Sequence, residues 1–239
     1  MKIVILKFIL SHYLLCLNLK TTVMFIGHFG LAFAAKKLSP SNNLGASIMS
    51  AQLLDLIWPI LTLAGIENFS IEPGITKLTP LNFQYYPYSH SLIASIFLGV
   101  IVGVIYYMIR KDRTNAIIYG VLVVSHWVLD FLTHRPDLPI SFSDEQKYGM
   151  GLWNYPAISI IVEILIFITG IYLYFNQSVE ENQKGKWLPW TIVILLAIFF
   201  VMNIIGPPPP STNAVSYSAL LLWLFVGLGY WAEKNRRRI

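Results

Sequence analysis

Long apolar segments alternate with short polar segments along most of this chain. Seven apolar runs stand out, several of them close to the ~20 residues that an α-helix needs to cross the ~30 Å hydrocarbon core of a bilayer. Their approximate limits are 24–38, 46–67, 90–110, 116–134, 153–175, 187–206 and 214–232. The pattern predicts an all-α integral membrane helical bundle of six to seven transmembrane helices, with residues 24–239 as a single domain.

The composition agrees with a membrane protein. Of the 239 residues, 56% are hydrophobic and 12% are charged, and the mean hydropathy is +0.61, which is too apolar for a soluble domain. The net charge of +5 comes without a basic stripe or a nucleic-acid-binding motif, so we expect membrane lipid and a small-molecule or lipid substrate as partners, and no nucleic acid. The oligomeric state stays open. With Cys16 as the single cysteine, a metal would have to be held by histidines and carboxylates.

The first 23 residues differ from the rest of the chain. The opening MKIVILKFILSHYLLCLNLKTT has a basic start and an apolar middle, as a signal peptide has, but Lys7 interrupts it and no A-x-A cleavage pattern follows. Two interpretations stay open: translation starting at Met24, or an extra anchoring helix.

Lysines and arginines are distributed unequally between the two sets of connecting segments. Beyond residue 23, one set carries eleven and the other three, Lys77, Arg135 and Lys147. Because cytoplasmic loops are enriched in basic residues, we expect the eleven-residue side and the C terminus to be cytoplasmic. Residues 68–89, 135–152 and 206–212, with Asp144 among them, then face the extracytoplasmic side, where Tyr86 and Trp153 would join an aromatic belt.

Ionisable residues lie inside or at the ends of several predicted spans. His28, His90, His126, Asp130 and His134 all fall near the predicted outer ends, and Asp55 and Glu163 lie about ten residues inside their spans, ~15 Å deep. His126 and Asp130 are four residues apart and share a helix face, and His134 continues that row with ~40° of drift.

Such groups are costly in a membrane, at about 2.5 to 3.5 kcal/mol for an aspartate at a helix centre. A divalent cation would offset the cost, because imidazole and carboxylate together suit zinc, with manganese or iron as alternatives. The competing interpretation for any single histidine is a hydrogen bond between helices. For His134 it is an interfacial helix end, and for Glu163 it is a pair with a neighbouring span.

Five short motifs carry a resemblance to a known family. GHFGLAFAAKK, AQLLDLIWP, YYPYSHSL, SHWVLDFLTHRPDLP and GLWN together resemble the bacterial predicted membrane-bound metal-dependent hydrolases, a group that includes LexA-regulated inner-membrane proteins. The order of these motifs is also distantly similar to the zinc-dependent phospholipase C and nuclease superfamily. The resemblance implies an inner-membrane, multi-pass protein whose metal ligands are His28, Asp55, His90, His126 and Asp130, with His134 as a further candidate.

The match to that superfamily is partial. Its soluble members add a His-x-x-x-Glu pair and a metal-binding N-terminal tryptophan, whereas here Ser159 stands four residues before Glu163. A one- or two-metal site is therefore expected rather than a three-metal cluster.

The resulting hypothesis is a membrane-bound metal-dependent hydrolase that cleaves a phosphoester or related bond of a lipid or envelope substrate at the extracytoplasmic side. Asp55 or Glu163 would act as the general base, and Trp153 and Asn154 would position the substrate. A transporter that relays protons or a coupling ion is the first alternative. A scaffold whose polar groups join helices is the second.

Overall fold

The computed structural model describes residues 26–143 and 146–238, which are mostly helical. The leader, the boundary at Met24 and Asp144 lie outside the described residues. The α-helices are α1 (Ile26–Ala34), α2 (Leu44–Ala51), α3 (Leu53–Leu63), α4 (Pro87–His90), α5 (Leu92–Arg110), α6 (Arg113–Thr133), α7 (Pro156–Phe175), α8 (Gln183–Ile205), α9 (Thr212–Ala219) and α10 (Leu222–Glu233). Short 3-10 helices span Ala35–Lys37 and Leu152–Asn154.

Three short antiparallel ribbons join the helices, which the all-α prediction did not include. They pair β1 (Asn68–Ile71) with β2 (Leu81–Tyr85), β3 (Leu138–Pro139) with β4 (Lys147–Tyr148), and β5 (Ser178–Glu180) with β6 (Arg236–Arg238). In the first ribbon Phe69 lies opposite Phe83, and both side chains are buried. The β1–β2 and β3–β4 ribbons arise in connecting segments and contribute Phe69, Leu81, Phe83 and Leu138 to a core that is otherwise mainly helical.

Five helical segments are long and apolar enough to cross a membrane: α5, α6, α7, α8 and the combined segment Thr212–Glu233. The pair α2 and α3, bent by 53°, makes a sixth if it counts as one span. The described chain therefore has five to six candidate spans, and the predicted six to seven are not confirmed. The segment predicted as the first span is described from Ile26, where α1 covers nine residues and gives way to the 3-10 helix, and the described part is not among the candidate spans.

The bend between α2 and α3 lies at Gln52. Asn43 begins α2, and its side-chain oxygen accepts a hydrogen bond from the Ala46 amide. Gln52 leaves the helical region of backbone space with φ −105° and ψ 6°, and Leu53 starts a new helix. The break leaves the Ala51 carbonyl at a helix C-terminus, where carbonyls lack intrahelical partners.

Glycines allow two close helix crossings that position α1 and α6. A Cβ atom at Gly170 of α7 would overlap the backbone of Gly30 in α1. Between α5 and α6, a Cβ at Gly99 would approach the carbonyl oxygen of Gly120 to 2.7 Å. Backbones that meet this closely are typical of helix packing in membranes.

The connecting segments form two polar groups at opposite ends of the antiparallel α5 and α6. At one end Lys36, buried, binds the Glu233 carboxylate and donates to the Asn42 carbonyl at 2.7 Å. At the same end Asp112 begins α6, and its carboxylate accepts a hydrogen bond from the Asn115 amide at 3.0 Å. The hydrogen bonds from Asn115 lower the pKa of the Asp112 carboxyl below its ordinary value. The other end carries the ribbons β1–β2 and β3–β4. Which end faces the cytoplasm stays a prediction.

Candidate metal centre

Four helices bring five ionisable side chains to one place. His28 comes from the middle of α1, Asp55 from the first turn of α3, His90 from the end of α4, and His126 and Asp130 from one face of α6. All are buried except Asp55, whose side chain is 18% exposed. The five residues are the metal-binding cluster implied by the resemblance, without His134.

Nitrogen and oxygen atoms of the cluster face one another at similar distances. The Nε2 atom of His28 lies 3.3 Å from Asp130 Oδ1, and that of His126 lies 3.3 Å from Asp130 Oδ2. His90 Nε2 lies 3.3 Å from Asp55 Oδ1 and 3.8 Å from Asp130 Oδ2, and His126 Nε2 lies 3.7 Å from Asp55 Oδ2.

These distances suit a shared cation better than direct ion pairs. A charge-assisted N–H···O bond is about 2.7 to 2.9 Å long. Two atoms that each lie about 2.0 to 2.1 Å from a zinc ion, at a tetrahedral angle, are roughly 3.3 Å apart. Three separate nitrogen–oxygen pairs of the cluster have that spacing.

The cluster divides into two groups of three ligand atoms. One comprises His28, His126 and Asp130, the other Asp55, His90 and His126, and within each group the atoms lie within 4.8 Å of one another. His126 belongs to both groups. One imidazole nitrogen has one lone pair, so His126 can serve only one ion at a time.

His126 is oriented by the break between α2 and α3. Its Nδ1–H donates to the Ala51 carbonyl at 2.7 Å, so Nε2 is the nitrogen that faces the cluster. Within the described chain, Nε2 is buried and has no hydrogen-bond partner, although two carboxylates face it. A metal-binding histidine usually has its second nitrogen fixed by a carbonyl or carboxylate in this way.

His28 lies against His126, with ring centroids 3.9 Å apart. Its Nε2 atom lies 3.4 Å from the His126 carbonyl oxygen as well as beside Asp130. Its Nδ1 atom is buried without a hydrogen-bond partner among the described residues.

His90 is held from the loop side of the cluster. Its Nδ1 atom lies 2.7 Å from the Ser89 hydroxyl, which in turn donates to the Glu67 carboxylate at 2.6 Å. Burial raises the pKa of the Glu67 carboxyl above its ordinary value, and the hydrogen bonds from Ser89 oppose that rise. Neither Glu67 nor Ser89 was predicted as a site residue, and for Ser89 the neighbouring Ser-His pair in PYSHS was the signal that could have suggested a role.

His134 lies outside the cluster. Its Nδ1 atom lies 2.9 Å from the Asp137 carboxylate, and its ring packs on Trp153 with centroids 4.1 Å apart. Tyr86 lies between the two sites, with its ring centroid 5.4 Å from His90 and 6.2 Å from His134. His134 is absent from both groups that could hold an ion.

Glu163 also lies outside both groups. It is buried, and its carboxylate accepts a hydrogen bond from the Ile26 amide at 3.2 Å, at the first residue of α1. This position fits the interpretation of Glu163 as a partner of a neighbouring helix. Its role as general base stays a prediction.

Two aromatic residues expected at the membrane boundary are instead in the core. Tyr86 and Trp153 are both fully buried, whereas Tyr88 and Tyr155 are exposed. Tyr86 donates a hydrogen bond to the Asp137 carbonyl at 3.1 Å, and Trp153 packs against Phe83. Trp153 therefore lies in the core beside His134 and Phe83, and not at the surface where a substrate would enter.

A cavity of about 280 Å³ reaches the cluster at Asp55. Its walls come from α3, the end of α8, the proline-rich segment that follows, α9 and α10. Most of the lining is apolar, with Trp58, Met202, Val215 and Ala219 among the residues. Of the five residues in the cluster, Asp55 alone lines this cavity.

The five side chains suit a divalent cation by charge as well as by spacing. As metal ligands, three neutral imidazoles and two carboxylates would carry a charge of −2, which one divalent ion would balance in a site that is almost closed to water. Mixed imidazole and carboxylate donors are typical of zinc, and also of manganese and iron.

Comparison of the chain with models of known families, with curated proteins and with solved structures found no match in any of the three. The fold and the cluster define a helical protein of membrane type with a buried His/Asp site. The family resemblance stays an expectation, and the function has to be argued from the site.

Proposed function

We propose that this protein is a membrane-bound metal-dependent hydrolase that cleaves a phosphoester or related bond of a lipid or envelope substrate. His28, His90, His126 and Asp130 hold one divalent ion, zinc in the first instance, together with Asp55. The observation that carries the proposal is the set of three nitrogen–oxygen pairs at 3.3 Å in the cluster, which join His28 and His126 to Asp130 and His90 to Asp55.

One ion is the number that the geometry favours. Both groups of ligand atoms need His126 Nε2, and a single nitrogen binds a single ion. The Ala51 carbonyl fixes Nδ1–H of His126, so Nε2, which faces two carboxylates, is the nitrogen that would bind this ion.

Asp55 is the residue that connects the ion site to the substrate. A divalent ion, when bound, activates water and offsets the negative charge that builds on the attacked phosphoryl group. Asp55 accepts the proton of the attacking water, since its carboxylate faces the cavity while Glu163 is engaged at the start of α1. The water oxygen bonds to phosphorus as the ester P–O bond breaks, and the leaving oxygen takes up the proton that Asp55 accepted and departs as an alcohol.

The apolar cavity supports an amphiphilic substrate. A polar phosphoester beside Asp55 would leave its apolar chain among Trp58, Val215 and Ala219, where water is displaced from apolar surface. The site would face the extracytoplasmic side of an inner membrane, with the C terminus in the cytoplasm, because basic residues are concentrated at the opposite end of the chain's helices.

The clustering of the polar groups supports a catalytic site over a scaffold. Polar residues that only join helices would be expected as pairs spread along the spans. Here three histidines and two aspartates lie at one place, next to a cavity. A transporter is the alternative that the experiment must separate, because an ion site enclosed by helices would serve it equally well.

The test is metal content and hydrolysis on the same detergent-purified protein. Wild type should retain about one zinc, manganese or iron per chain and hydrolyse bis(4-nitrophenyl) phosphate, and His126→Ala should lose both properties. Asp112→Asn, which changes a carboxylate at the far end of α6, should keep both. A metal-loaded wild type that carries ions across vesicle membranes without hydrolysing phosphoesters would refute the enzyme in favour of the transporter.

A further inference from the structure

Glu67 is a buried carboxylate that lies outside the proposed ion site but is connected to it. It follows α3 in the chain and is 1% exposed. Its Oε1 atom accepts hydrogen bonds from the amides of Tyr88 and Ser89, each at 2.8 Å, and its Oε2 atom accepts one from the Ser89 hydroxyl at 2.6 Å. These contacts fix the carboxylate from two sides.

The Glu67 carboxylate determines which atom donates in the hydrogen bond between Ser89 and His90. The single Ser89 hydroxyl proton is used towards Glu67, so the oxygen of that hydroxyl can only accept from His90 Nδ1, 2.7 Å away. Nδ1 therefore carries the imidazole proton, and Nε2 keeps its lone pair. Nε2 is the atom that lies 3.3 Å from Asp55 and faces the cluster.

We infer that Glu67 is a positioning residue that acts through Ser89 to hold His90 in the tautomer able to bind a metal ion. The inference rests on the proposed function for the identity of the ion, but the tautomer itself is a property of the protein alone. It has a parallel in the cluster, because the Ala51 carbonyl fixes Nδ1–H of His126 in the same sense.

Replacing Glu67 by glutamine should reverse the hydrogen-bond chain. The amide oxygen would stay with the two backbone N–H groups, and the amide NH₂ would then donate to the Ser89 oxygen. The Ser89 hydroxyl would turn its proton to His90 Nδ1 and so place the imidazole proton on Nε2. Glu67→Gln therefore removes the ligand lone pair of His90 without removing His90.

Ser89→Ala and Ser91→Ala form a matched pair on either side of His90. Both serines are fully buried. The Ser91 hydroxyl accepts from the Ala94 amide at 3.1 Å and begins α5, so its loss costs a helix cap and leaves His90 Nδ1 untouched. Ser89→Ala removes the link to His90 but keeps the two backbone hydrogen bonds of Glu67, so the variant should fold.

The experiment measures tautomer and metal affinity separately. Ring ¹⁵N shifts of the five histidines, with His90 assigned through His90→Asn, report which nitrogen carries the proton in metal-free protein. Wild type and Ser91→Ala should show His90 protonated on Nδ1, Glu67→Gln on Nε2, and Ser89→Ala a mixture. Zinc affinity, measured by competition with a chromogenic chelator, should fall about 10- to 100-fold in Glu67→Gln and Ser89→Ala, and less than 3-fold in Ser91→Ala.

The possible failures are distinguishable. An unchanged His90 tautomer in Glu67→Gln and Ser89→Ala, or equal losses of affinity in Ser89→Ala and Ser91→Ala, would show that Glu67 only supports the loop and would overturn the inference. A wild type that binds no metal would overturn the proposed function, and the tautomer shifts would still decide the positioning role of Glu67.

Discussion

Asp130 is the residue whose replacement tests the ion site most directly. It is 3% exposed, and its two oxygens lie 3.3 Å from His28 and His126 and 3.8 Å from His90. Asp130→Asn keeps the size and planarity of the side chain and removes one negative charge. The variant therefore changes the electrostatics of the site with little change in packing.

The expected loss of zinc affinity is large. Removing one partner of a buried, charge-paired group costs about 3 to 5 kcal/mol. At about 1.4 kcal/mol for each factor of ten, the dissociation constant for zinc should rise roughly 10²- to 10⁴-fold. Asp112→Asn should bind zinc as wild type does, because Asp112 lies at the other end of α6 and asparagine is an equally good helix cap.

The thermal stability of the metal-free protein distinguishes an ion site from an ion-pair network more clearly than the zinc affinity does. If the imidazoles of the metal-free protein are neutral, Asp55 and Asp130 are two buried negative charges beside one another, and removing one relieves repulsion. In EDTA, Asp130→Asn should therefore be at least as stable as wild type, whereas in zinc it should be less stable. Thermal unfolding in detergent, followed by tryptophan fluorescence with and without zinc, measures both.

A different outcome would refute the ion site. If the histidines are protonated and paired with Asp130, the variant leaves buried imidazolium groups without a partner. Asp130→Asn would then be destabilised by about 3 to 5 kcal/mol in EDTA, and zinc would not change the difference. That result would identify the cluster as an ion-pair network.

Three further predictions concern other parts of the chain. Ser218→Trp should fill the cavity beside Asp55 and lower cleavage of a long-chain phosphoester at least 10-fold. Hydrolysis of bis(4-nitrophenyl) phosphate should stay within 3-fold of wild type, and equal losses for both substrates would contradict a chain-binding role for the cavity. Asp112→Ala should lower the free energy of unfolding by about 0.5 to 1 kcal/mol at pH 7, because solvent screens this helix cap. Hydrogen bonds from Asn115 lower the pKa of Asp112 in the folded protein, so the stability difference between wild type and Asp112→Ala should depend on pH. It should be complete above the pKa of the unfolded chain, about 4, and vanish as the pH falls through the lowered pKa of the folded protein. Urea unfolding at several pH values measures it. In a cysteine-free background, an impermeant thiol reagent applied outside should label a cysteine at Ser143 and spare one at Arg113, and the reverse would overturn the topology.

The sequence predicted that the five clustered residues lie together, but it also placed His134 in the same row. The difference arises from the local backbone at the end of α6. Four-residue spacing puts His126 and Asp130 on one face as long as the helix continues, which it does to Thr133. His134 has an extended backbone, with φ −61° and ψ 145°, so it leaves the row just as the spacing argument extends to it. Helix ends are set by capping and tertiary contacts that periodicity does not contain.

The spans and the supporting residues were harder to predict. Hydropathy does not show the break at Gln52, because the residues on both sides are apolar and the bend depends on how α2 and α3 pack. Glu67 was missed because its contacts to Tyr88 and Ser89 join positions more than twenty residues apart in loops without periodicity.

The break between α2 and α3 also provides a favourable field for a charge inside the bundle. Because α3 starts at Leu53, Asp55 lies in its first turn, where the aligned peptide dipoles present the equivalent of about half a positive charge. An anion there gains about 0.3 to 1 kcal/mol, and up to ~2 kcal/mol when partly buried. An uninterrupted helix over residues 44–63 would hold the same aspartate at its centre, where the dipoles offer nothing. The interrupted helix thus lowers the cost of keeping Asp55 ionised before any cation arrives, as the half-helices of membrane transporters do for their bound ions.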